Sequence, residues 1–159
     1  MPVKIEELQA LVSGGEGTQV EFKRSTGQRT DAAKSACGML NGTGGFVLFG
    51  VEPSGALQGQ EIGLSTLEDV VRELRRIEPQ LPLSPETVPL PNGRMVIAVS
   101  VPGGSGGPYT YDGRPYIRQG PTTVIMQQEE YRQRIIEQMH PSHRWEVPDS
   151  RFRTLMAQR

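Results

Sequence analysis

A glycine-rich turn followed by a short, continuously apolar segment constrains the fold of this chain more than any other feature. The segment reads Asn41-Gly-Thr-Gly-Gly-Phe-Val-Leu-Phe-Gly-Val-Glu52. A short apolar run bounded by glycines is typical of a fully buried β-strand. We therefore expect a buried strand over residues 46–51, with Asn41, Gly44 and Gly45 in the turn that leads into it.

A second stretch, Gln19-Val-Glu-Phe-Lys23, has the alternating pattern of a strand. Side chains in a β-strand alternate between its two faces, so Glu21 and Lys23 are expected on the same face. Further charged residues lie close by in the sequence, at Glu16, Arg24, Arg29 and Lys34. Acidic and basic groups interleaved over so short a span suit a ligand that carries phosphate, with or without a metal ion.

The rest of the chain alternates helical and extended patterns. Apolar residues at helical spacing predict helices over residues 4–12, 65–77 and 127–139, and a run rich in small residues predicts a helix over residues 30–40. Strands are predicted over residues 16–23, 46–51, 86–90, 94–101, 109–111 and 116–118, with residues 56–60 returning beside 46–51. Turn signals at Pro91-Asn-Gly93 and Asp112-Gly113 each predict a hairpin. The sequence thus predicts a single compact α/β domain over residues 1–139, with about four helices and a mixed, largely antiparallel sheet.

The charge balance excludes a uniformly basic nucleic-acid coat. The 159 residues carry a formal net charge of -1, and the sequence pI is about 6.1. Any nucleic-acid surface must then be a local patch, and the basic residues that would form it are Lys23, Arg24, Arg29, Lys34, Arg114 and Arg118. Phosphate contacts should dominate, because aromatic residues make up only 6% of the chain.

Few residues are available for thiol or zinc chemistry. Cys37 is the only cysteine, so no intramolecular disulfide can form, and a reducing cytoplasm fits this composition. The two histidines, His140 and His143, lie far away in the sequence, so we expect Cys37 to be a small packed side chain. No N-terminal apolar segment and no membrane-length apolar run occurs. We therefore expect neither a signal peptide nor a membrane partner.

The sequence changes character beyond Pro141. Residues 140–159 hold few apolar residues at any period and are basic, with Arg144, Arg151, Arg153 and Arg159. We interpret them as a basic C-terminal tail or a linker to a further domain, and whether the chain is part of a longer protein stays open. The alternative is a basic arm in which Trp145 and Phe152 stack on bases.

The glycine-rich turn does not have the form of a nucleotide-triphosphate loop. A P-loop follows a strand, opens a helix and contains Gly-Lys-Ser or Gly-Lys-Thr. Residues 41–45 precede a strand, and neither tripeptide occurs in the chain. We expect either a turn that only glycine can make or a turn that admits the close approach of a ligand.

The acidic residues leave a metal-dependent nuclease open as an alternative. Such an enzyme needs two or three carboxylates around a hard cation, and a lysine that orients water or stabilises developing charge. Glu16, Glu21 and Glu52 are the candidate ligands for Mg²⁺ or Mn²⁺, and Lys23 is the candidate catalytic lysine. The competing interpretation is a solvated strand edge on which Glu21 and Lys23 are merely neighbours.

Taken in order, these elements resemble the Schlafen-like AlbA domain, formerly classed as a divergent AAA domain. The matching elements are Glu16, Val20 to Lys23 with Ser25, a small-residue helix, Asn41 with Gly44-Gly45, residues 46–51, Gly55 to Gly59, and Tyr116-Ile-Arg118 with Gly120. Together they span roughly residues 5–139. Domains of this kind are DNA-binding domains of bacterial and archaeal regulators, so the resemblance implies nucleic-acid binding in a transcriptional regulator.

The resemblance also implies a second activity, because the Schlafen branch contains metal-dependent endoribonucleases that act on structured RNA. Glu16 and Glu21 match the first two acids of that branch, and Glu52 falls where the third is found. Family members often have two acids in a row there, whereas this chain has Glu52-Pro53. Nucleic-acid binding, a metal-dependent endoribonuclease, and a protein-interaction or sensor module are thus the three functions left open. Whether the nucleic acid is DNA or RNA stays open too. The oligomeric state is also open, and a homodimer is one of the options.

Overall fold

Four α-helices and eight β-strands form within residues 3–104 and 106–139, which are the residues that the computed structural model describes. The helices are α1 (Ile5–Ser13), α2 (Arg29–Leu40), α3 (Thr66–Leu74) and α4 (Gln128–Met139), and a short 3₁₀ helix spans Thr26–Gln28. The strands are β1 (Val20–Lys23), β2 (Gly45–Phe49), β3 (Ile77–Glu78), β4 (Pro85–Pro89), β5 (Met95–Val101), β6 (Thr110–Tyr111), β7 (Tyr116–Gln119) and β8 (Thr122–Ile125).

The predicted fold class is confirmed: the chain is a single compact α/β domain with mixed, largely antiparallel sheets. None of the described helices combines the length and the apolar character needed to cross a bilayer. The tail predicted over residues 140–159, with Trp145 and Phe152, lies outside the described residues.

The central sheet has four strands in the order β1-β2-β5-β4. β1 runs parallel to β2, whereas the β2–β5 and β5–β4 pairs are antiparallel. A parallel pair needs a crossover connection, and α2 supplies it between β1 and β2. In this register Glu21 lies opposite Val47, and Lys23 lies opposite Phe49.

β2 buries both of its faces, as its continuous apolar sequence predicts. Val47 and Phe49 belong to the core formed with α2 and α3, whereas Leu48 belongs to a second core beneath α1. The period-two alternation of a strand separates these two sets. Glu21 and Lys23 neighbour Val47 and Phe49 across the β1–β2 pair, so they lie on the α2 side of the sheet.

Small residues along α2 let other elements pack closely against it. Ala32, Ala33, Ala36 and Gly38 are all buried. The β7–β8 hairpin contacts this helix along both of its strands. α2 therefore packs against both the central sheet and the hairpin, and it fixes where the hairpin meets β1.

The turn before β2 depends on two glycines. Gly44 has a φ of +80° and Gly45 a φ of +151°, a region that residues with a Cβ rarely adopt. A Cβ on Gly45 would lie 2.2 Å from the carbonyl oxygen of Gln19, and one on Gly44 would lie 2.5 Å from that of Val101. Both positions therefore exclude any side chain while the turn keeps its conformation.

α3 is shorter than the helix predicted over residues 65–77. It ends at Leu74, and Ile77–Glu78 forms β3, which pairs antiparallel with β6. Ile77 lies opposite Tyr111 in that pair and is buried. Burial of Ile77 and strand pairing outweigh the helical spacing of residues 74 and 77, which is why the sequence prediction was wrong here.

The hairpin predicted around Asp112-Gly113 is present only at its turn. Tyr111 and Arg114 exchange backbone hydrogen bonds across it, and Asp112 and Gly113 have the positive φ values, +51° and +80°, that this tight turn requires. Beyond the turn the strands separate, because β6 pairs with β3 and β7 pairs with β8. Residues 56–60 likewise make single bridges in place of a strand. The hairpin predicted at Pro91-Asn-Gly93 is confirmed as β4–β5.

Candidate functional site

Glu21 is the centre of a buried ion-pair network on β1. Lys23 Nζ lies 2.9 Å from its Oε2, and Arg118 Nη2 lies 2.6 Å from its Oε1. Glu21 is 6% exposed and Arg118 is 7% exposed. Because water screens a buried pair little, each group depends on its partner, and loss of one cation would leave a poorly solvated charge behind.

The main chain of β1 and the turn before it hold Arg118 in place. Its Nε and Nη2 donate hydrogen bonds to the carbonyl of Gly17, at 3.1 and 2.9 Å, and Nη2 donates to the carbonyl of Val20 at 2.9 Å. Nη1 donates to the hydroxyl of Thr123 at 3.0 Å. The contact with Glu21 Oε1 is an ion pair without hydrogen-bond geometry, and within the described residues that oxygen accepts no hydrogen bond. The guanidinium predicted to contact phosphate is thus committed to contacts inside the protein.

Beside this network, α2, β1 and the β7–β8 hairpin enclose a pocket of about 330 Å³. The charged side chains that line it are Lys23, Lys34 and Arg118 against Glu21 and Asp31. Ser35 and Thr123 add hydroxyl groups, 3.0 Å apart. Lys34 Nζ lies 5.8 Å from the centre of the Tyr116 ring, in cation–π contact. Three cations against two carboxylates leave an excess of positive charge, which suits one anionic group.

A second pocket, of about 310 Å³, adjoins the first along β1. Glu21, Lys23 and Pro121 line both pockets, whereas Arg24 lines only the second. We call the two pockets together the β1 groove. Lys34, Lys23 and Arg24 follow one another along it, so a ligand with several negative charges would meet a row of cations.

Side chains cap backbone amides along the outer edge of β1, where none of the described strands pairs with it. Glu16 Oε1 accepts a hydrogen bond from the Phe22 amide at 2.9 Å, and Gln28 Oε1 accepts one from the Arg24 amide at 2.9 Å. Glu16, expected as a metal ligand, therefore commits one carboxylate oxygen to the backbone.

Each of the three carboxylates predicted to bind a metal ion has another partner. Glu21 pairs with Lys23 and Arg118, Glu16 accepts from the main chain, and Glu52 pairs with Arg24 at 3.2 Å. Glu16 and Glu21 do line the same pocket. Within residues 3–104 and 106–139, however, no three His, Cys, Asp or Glu side chains are grouped to hold a metal ion. The predicted three-carboxylate ligand set is not assembled in this structure.

The remaining predicted cations lie apart from the β1 groove. Arg29 is half-buried and its Nη1 donates to the carbonyl of Thr26 at 3.1 Å. Arg114 is exposed in the turn between β6 and β7. The structure thus brings together Lys23, Arg24 and Lys34 at the surface, with Arg118 beneath them.

Asn41 binds other parts of the chain rather than facing solvent. Its Nδ2 donates to the carbonyls of Tyr109 and Tyr116, at 2.8 and 2.7 Å, and its Oδ1 accepts from the Tyr109 amide at 2.7 Å. Arg134 Nη1 donates to the Asn41 carbonyl at 2.6 Å. Asn41 therefore ties the end of α2 to the residue before β6, to β7 and to α4, and its predicted place in the turn serves the fold.

Sequence reasoning missed several residues that line the first pocket. Asp31 lies three residues before Lys34 and four before Ser35, so the i,i+3 and i,i+4 rule for a helix would have grouped Asp31 with each of them. Tyr116 belongs to the Tyr116-Ile-Arg118 element of the resemblance, but nothing in the sequence indicated that its ring contacts Lys34. Thr123 had no local signal, because its position depends on how the β7–β8 hairpin packs on α2.

Comparison with known proteins agrees with the resemblance seen in the sequence. The family model described as Schlafen, AlbA_2 matches residues 16–127, which include β1, the glycine-rich turn, β2 and Arg118. The solved structure of the DIP2311 protein from Corynebacterium diphtheriae is similar, with a TM-score of 0.58 and 17% sequence identity. The similarity covers 84% of this chain but 32% of that one, and at this identity it concerns the fold alone. No curated protein matches the chain.

Proposed function

Because this chain belongs to the Schlafen AlbA_2 family, we propose that it binds nucleic acid through the phosphate groups, along the β1 groove. The observation that carries the proposal is the row of cations Lys34, Lys23 and Arg24 on two adjoining pockets. The two pockets together are lined by four cations and three carboxylates, so the groove has an excess of one positive charge on a chain whose net charge is -1. A patch of this kind attracts a phosphate backbone whatever the base sequence.

The chemistry of the groove favours contacts to phosphate over contacts to bases. Lysine ammonium groups and the Arg24 guanidinium are donors that suit phosphate oxygens, and the hydroxyls of Ser35 and Thr123 lie beside them. Tyr116 is buried and its ring is already in contact with Lys34. We therefore expect weak sequence selectivity and strong dependence on salt. Regulation of transcription is the process in which we expect such binding to act.

Salt-dependent binding to short oligonucleotides tests the proposal. We would measure fluorescence anisotropy with labelled DNA and RNA, single- and double-stranded, longer than the roughly 4–16 nucleotides that one small domain covers. The double variant Lys34→Ala with Arg24→Ala removes the cations at the two ends of the groove. Its plot of log affinity against log salt should be flatter than that of the parent by about 1.4 to 1.8 units, or about 0.7 to 0.9 for each lost contact.

Arg94→Ala is the matched control. Arg94 is exposed in the turn between β4 and β5, and β4 lies at the opposite edge of the sheet from β1. Its loss should leave the salt slope close to that of the parent. Equal affinities and slopes for the parent and the double variant would rule out the β1 groove. The absence of salt-dependent binding in the parent would favour a protein-interaction or sensor module.

A metal-dependent nuclease is the second candidate, because Glu16, Glu21 and Lys23 line one pocket of the groove. For Mg²⁺ or Mn²⁺ to bind there, Glu16 would have to release the Phe22 amide and Glu21 would have to share its cations. Incubation with labelled structured RNA and with single- and double-stranded DNA, in Mg²⁺ and in Mn²⁺, tests this activity. Cleavage that disappears in Glu21→Gln would support it, and no cleavage with either metal would leave the binding function alone.

A further inference from the structure

We infer that Glu21 competes with nucleic-acid phosphates for Lys23, so that this internal carboxylate limits the affinity of the β1 groove. The inference rests on the proposed function, because it concerns how the same groove meets phosphate. It assigns to Glu21 a role in tuning affinity, which is separate from metal binding.

Lys23 is held by Glu21 at the place where a phosphate would reach it. Its ammonium lies 2.9 Å from Glu21 Oε2, and its side chain is only 15% exposed. Lys23 nevertheless lines both pockets of the groove. A phosphate that enters either pocket therefore meets an ammonium that already has an anionic partner.

Arg118 determines which of the two partners must move. Its guanidinium is 2.6 Å from Glu21 Oε1, and it is itself bound by the carbonyls of Gly17 and Val20. The Glu21 carboxylate is thus anchored from the interior side. Lys23 has a flexible four-carbon side chain with three donors. It is consequently Lys23 that turns from the carboxylate to the phosphate when a nucleic acid binds.

Arg24, the neighbouring cation of the groove, belongs to an ion pair whose carboxylate competes only weakly with phosphate. Arg24 pairs with Glu52 at 3.2 Å, but the Arg24 side chain is 65% exposed and that of Glu52 is 31% exposed. Water screens such a pair, so phosphate can replace Glu52 at little cost. The Glu21 side chain is only 8% exposed, and competition is therefore concentrated at Lys23.

Substitution of Glu21 by glutamine releases Lys23 while it preserves an oxygen for Arg118. We expect Glu21→Gln to tighten binding to the labelled oligonucleotides about three- to tenfold, the scale of a partly buried ion pair. The salt slope should become steeper by up to about one unit. In the parent, the Glu21 carboxylate that Lys23 leaves takes up a cation from solution when phosphate binds, whereas the glutamine of the variant takes up none. Asp31→Asn is the matched control, since it removes one negative charge from the same pocket. Asp31 is exposed and should change affinity less, with no change of slope.

A double-mutant cycle with Lys23→Ala separates competition from general electrostatics. With Lys23 absent, Glu21→Gln should gain no more affinity than Asp31→Asn gains. A gain from Glu21→Gln that persists in full without Lys23 would overturn the inference, as would weaker binding by Glu21→Gln in a folded protein. Failure of the proposed function looks different, because the parent itself would then show no salt-dependent binding.

A measurement on the unmodified protein covers the case in which Glu21→Gln fails to fold. The ammonium signal of Lys23 can be assigned in a proton–nitrogen spectrum by its loss in Lys23→Ala. Saturation with oligonucleotide should shift that signal as Lys23 exchanges carboxylate for phosphate. A Lys23 signal that stays unmoved in the saturated complex would overturn the inference.

Discussion

Gly38 lies directly against the backbone of Arg118. A Cβ on Gly38 would be 3.0 Å from the Arg118 backbone nitrogen and 3.0 Å from the carbonyl carbon of Ile117. This contact sets how closely β7 approaches α2, and the approach in turn sets where the Arg118 guanidinium meets Glu21. A glycine in the last turn of α2 thus determines the geometry of the ion-pair network at the β1 groove.

Gly38→Ala should destabilise the protein even though alanine favours helix. The helix preference gains about 0.5–1 kcal/mol, but an extra methyl group in a tight contact costs about 1–3 kcal/mol. We expect a net loss of about 1–2 kcal/mol in the free energy of unfolding, measured by urea denaturation. Gly14→Ala is the control, since its Cβ would lie 3.8 Å from the Leu11 carbonyl oxygen. Equal stability of the two variants would show that the α2–β7 contact can relax.

Gly45→Ala should be more damaging than Gly93→Ala. Both glycines have positive φ, at +151° and +87°, so both substitutions strain the backbone by about 1–2 kcal/mol. Only Gly45 also has an atom in the way, the carbonyl oxygen of Gln19 at 2.2 Å, whereas nothing lies within 4 Å of a Cβ on Gly93. Thermal melting of the two variants should therefore separate steric clash from backbone strain. Equal melting temperatures for Gly45→Ala and Gly93→Ala would contradict the close approach of the Gln19 carbonyl oxygen to Gly45.

Asn41→Ala should cost about 2–4 kcal/mol, because it removes the hydrogen-bond partner of the buried Tyr109 amide and of the Tyr116 carbonyl. Asn92→Ala is the comparison. Asn92 makes side-chain hydrogen bonds to Gln58 and Arg94, but at an exposed turn where water can replace them. Its loss should cost less than about 1 kcal/mol. Urea denaturation of both variants gives the difference, and similar costs would show that Asn41 does not tie α2 to β6 and β7.

Stability should fall at alkaline pH as two buried groups ionise. Burial raises the pKa of the Cys37 thiol from 9.0 to about 11, and burial together with the Glu73 carboxylate raises the pKa of Tyr111 from 10.0 to about 12. Both groups hold their protons more tightly in the folded state. Their contribution to the free energy of unfolding is therefore complete below pH 9 and is lost as the pH rises towards 12. Denaturation midpoints between pH 8 and pH 12 measure the loss. Tyr111→Phe should show a smaller alkaline decline than the parent, and an identical decline would exclude Tyr111 as its source.

Glu16→Ala should increase self-association. The substitution frees the Phe22 amide at the outer edge of β1, where no strand pairs with it. An unpaired strand edge is a template for another chain. Light scattering over a range of protein concentrations should show a higher mass than for the parent. Glu52→Ala removes a nearby carboxylate that pairs with the Arg24 side chain, and it should behave as the parent does. A Glu16→Ala protein with the mass of the parent at every concentration would refute the capping role.

Local patterns predicted the elements of this fold better than the contacts between them. A run of small residues that ends at Asn41-Gly42 located α2, and the Pro91-Asn-Gly93 turn located the β4–β5 hairpin, because each signal lies within a few residues. The place of Arg118 could not be predicted in this way. An arginine in a short strand gives no local sign of burial, and its partner Gly17 is 101 residues away. The same limit explains why Thr123 was missed, because its hydrogen-bond partner Ser35 is 88 residues away.

The distance along the chain between Arg118 and β1 also bears on how the protein is made. Arg118 and the Val20 carbonyl that it binds are separated by 98 residues, so β1, α2 and β2 leave the ribosome well before the arginine does. During that interval Glu21 has only Lys23 to neutralise it, which opposes tight closure of the sheet against α2. Contacts between distant segments also form slowly, because a long loop must close first. We therefore expect the nascent domain to stay open on this side until β7 is synthesised, and the groove to be among the last parts to take shape.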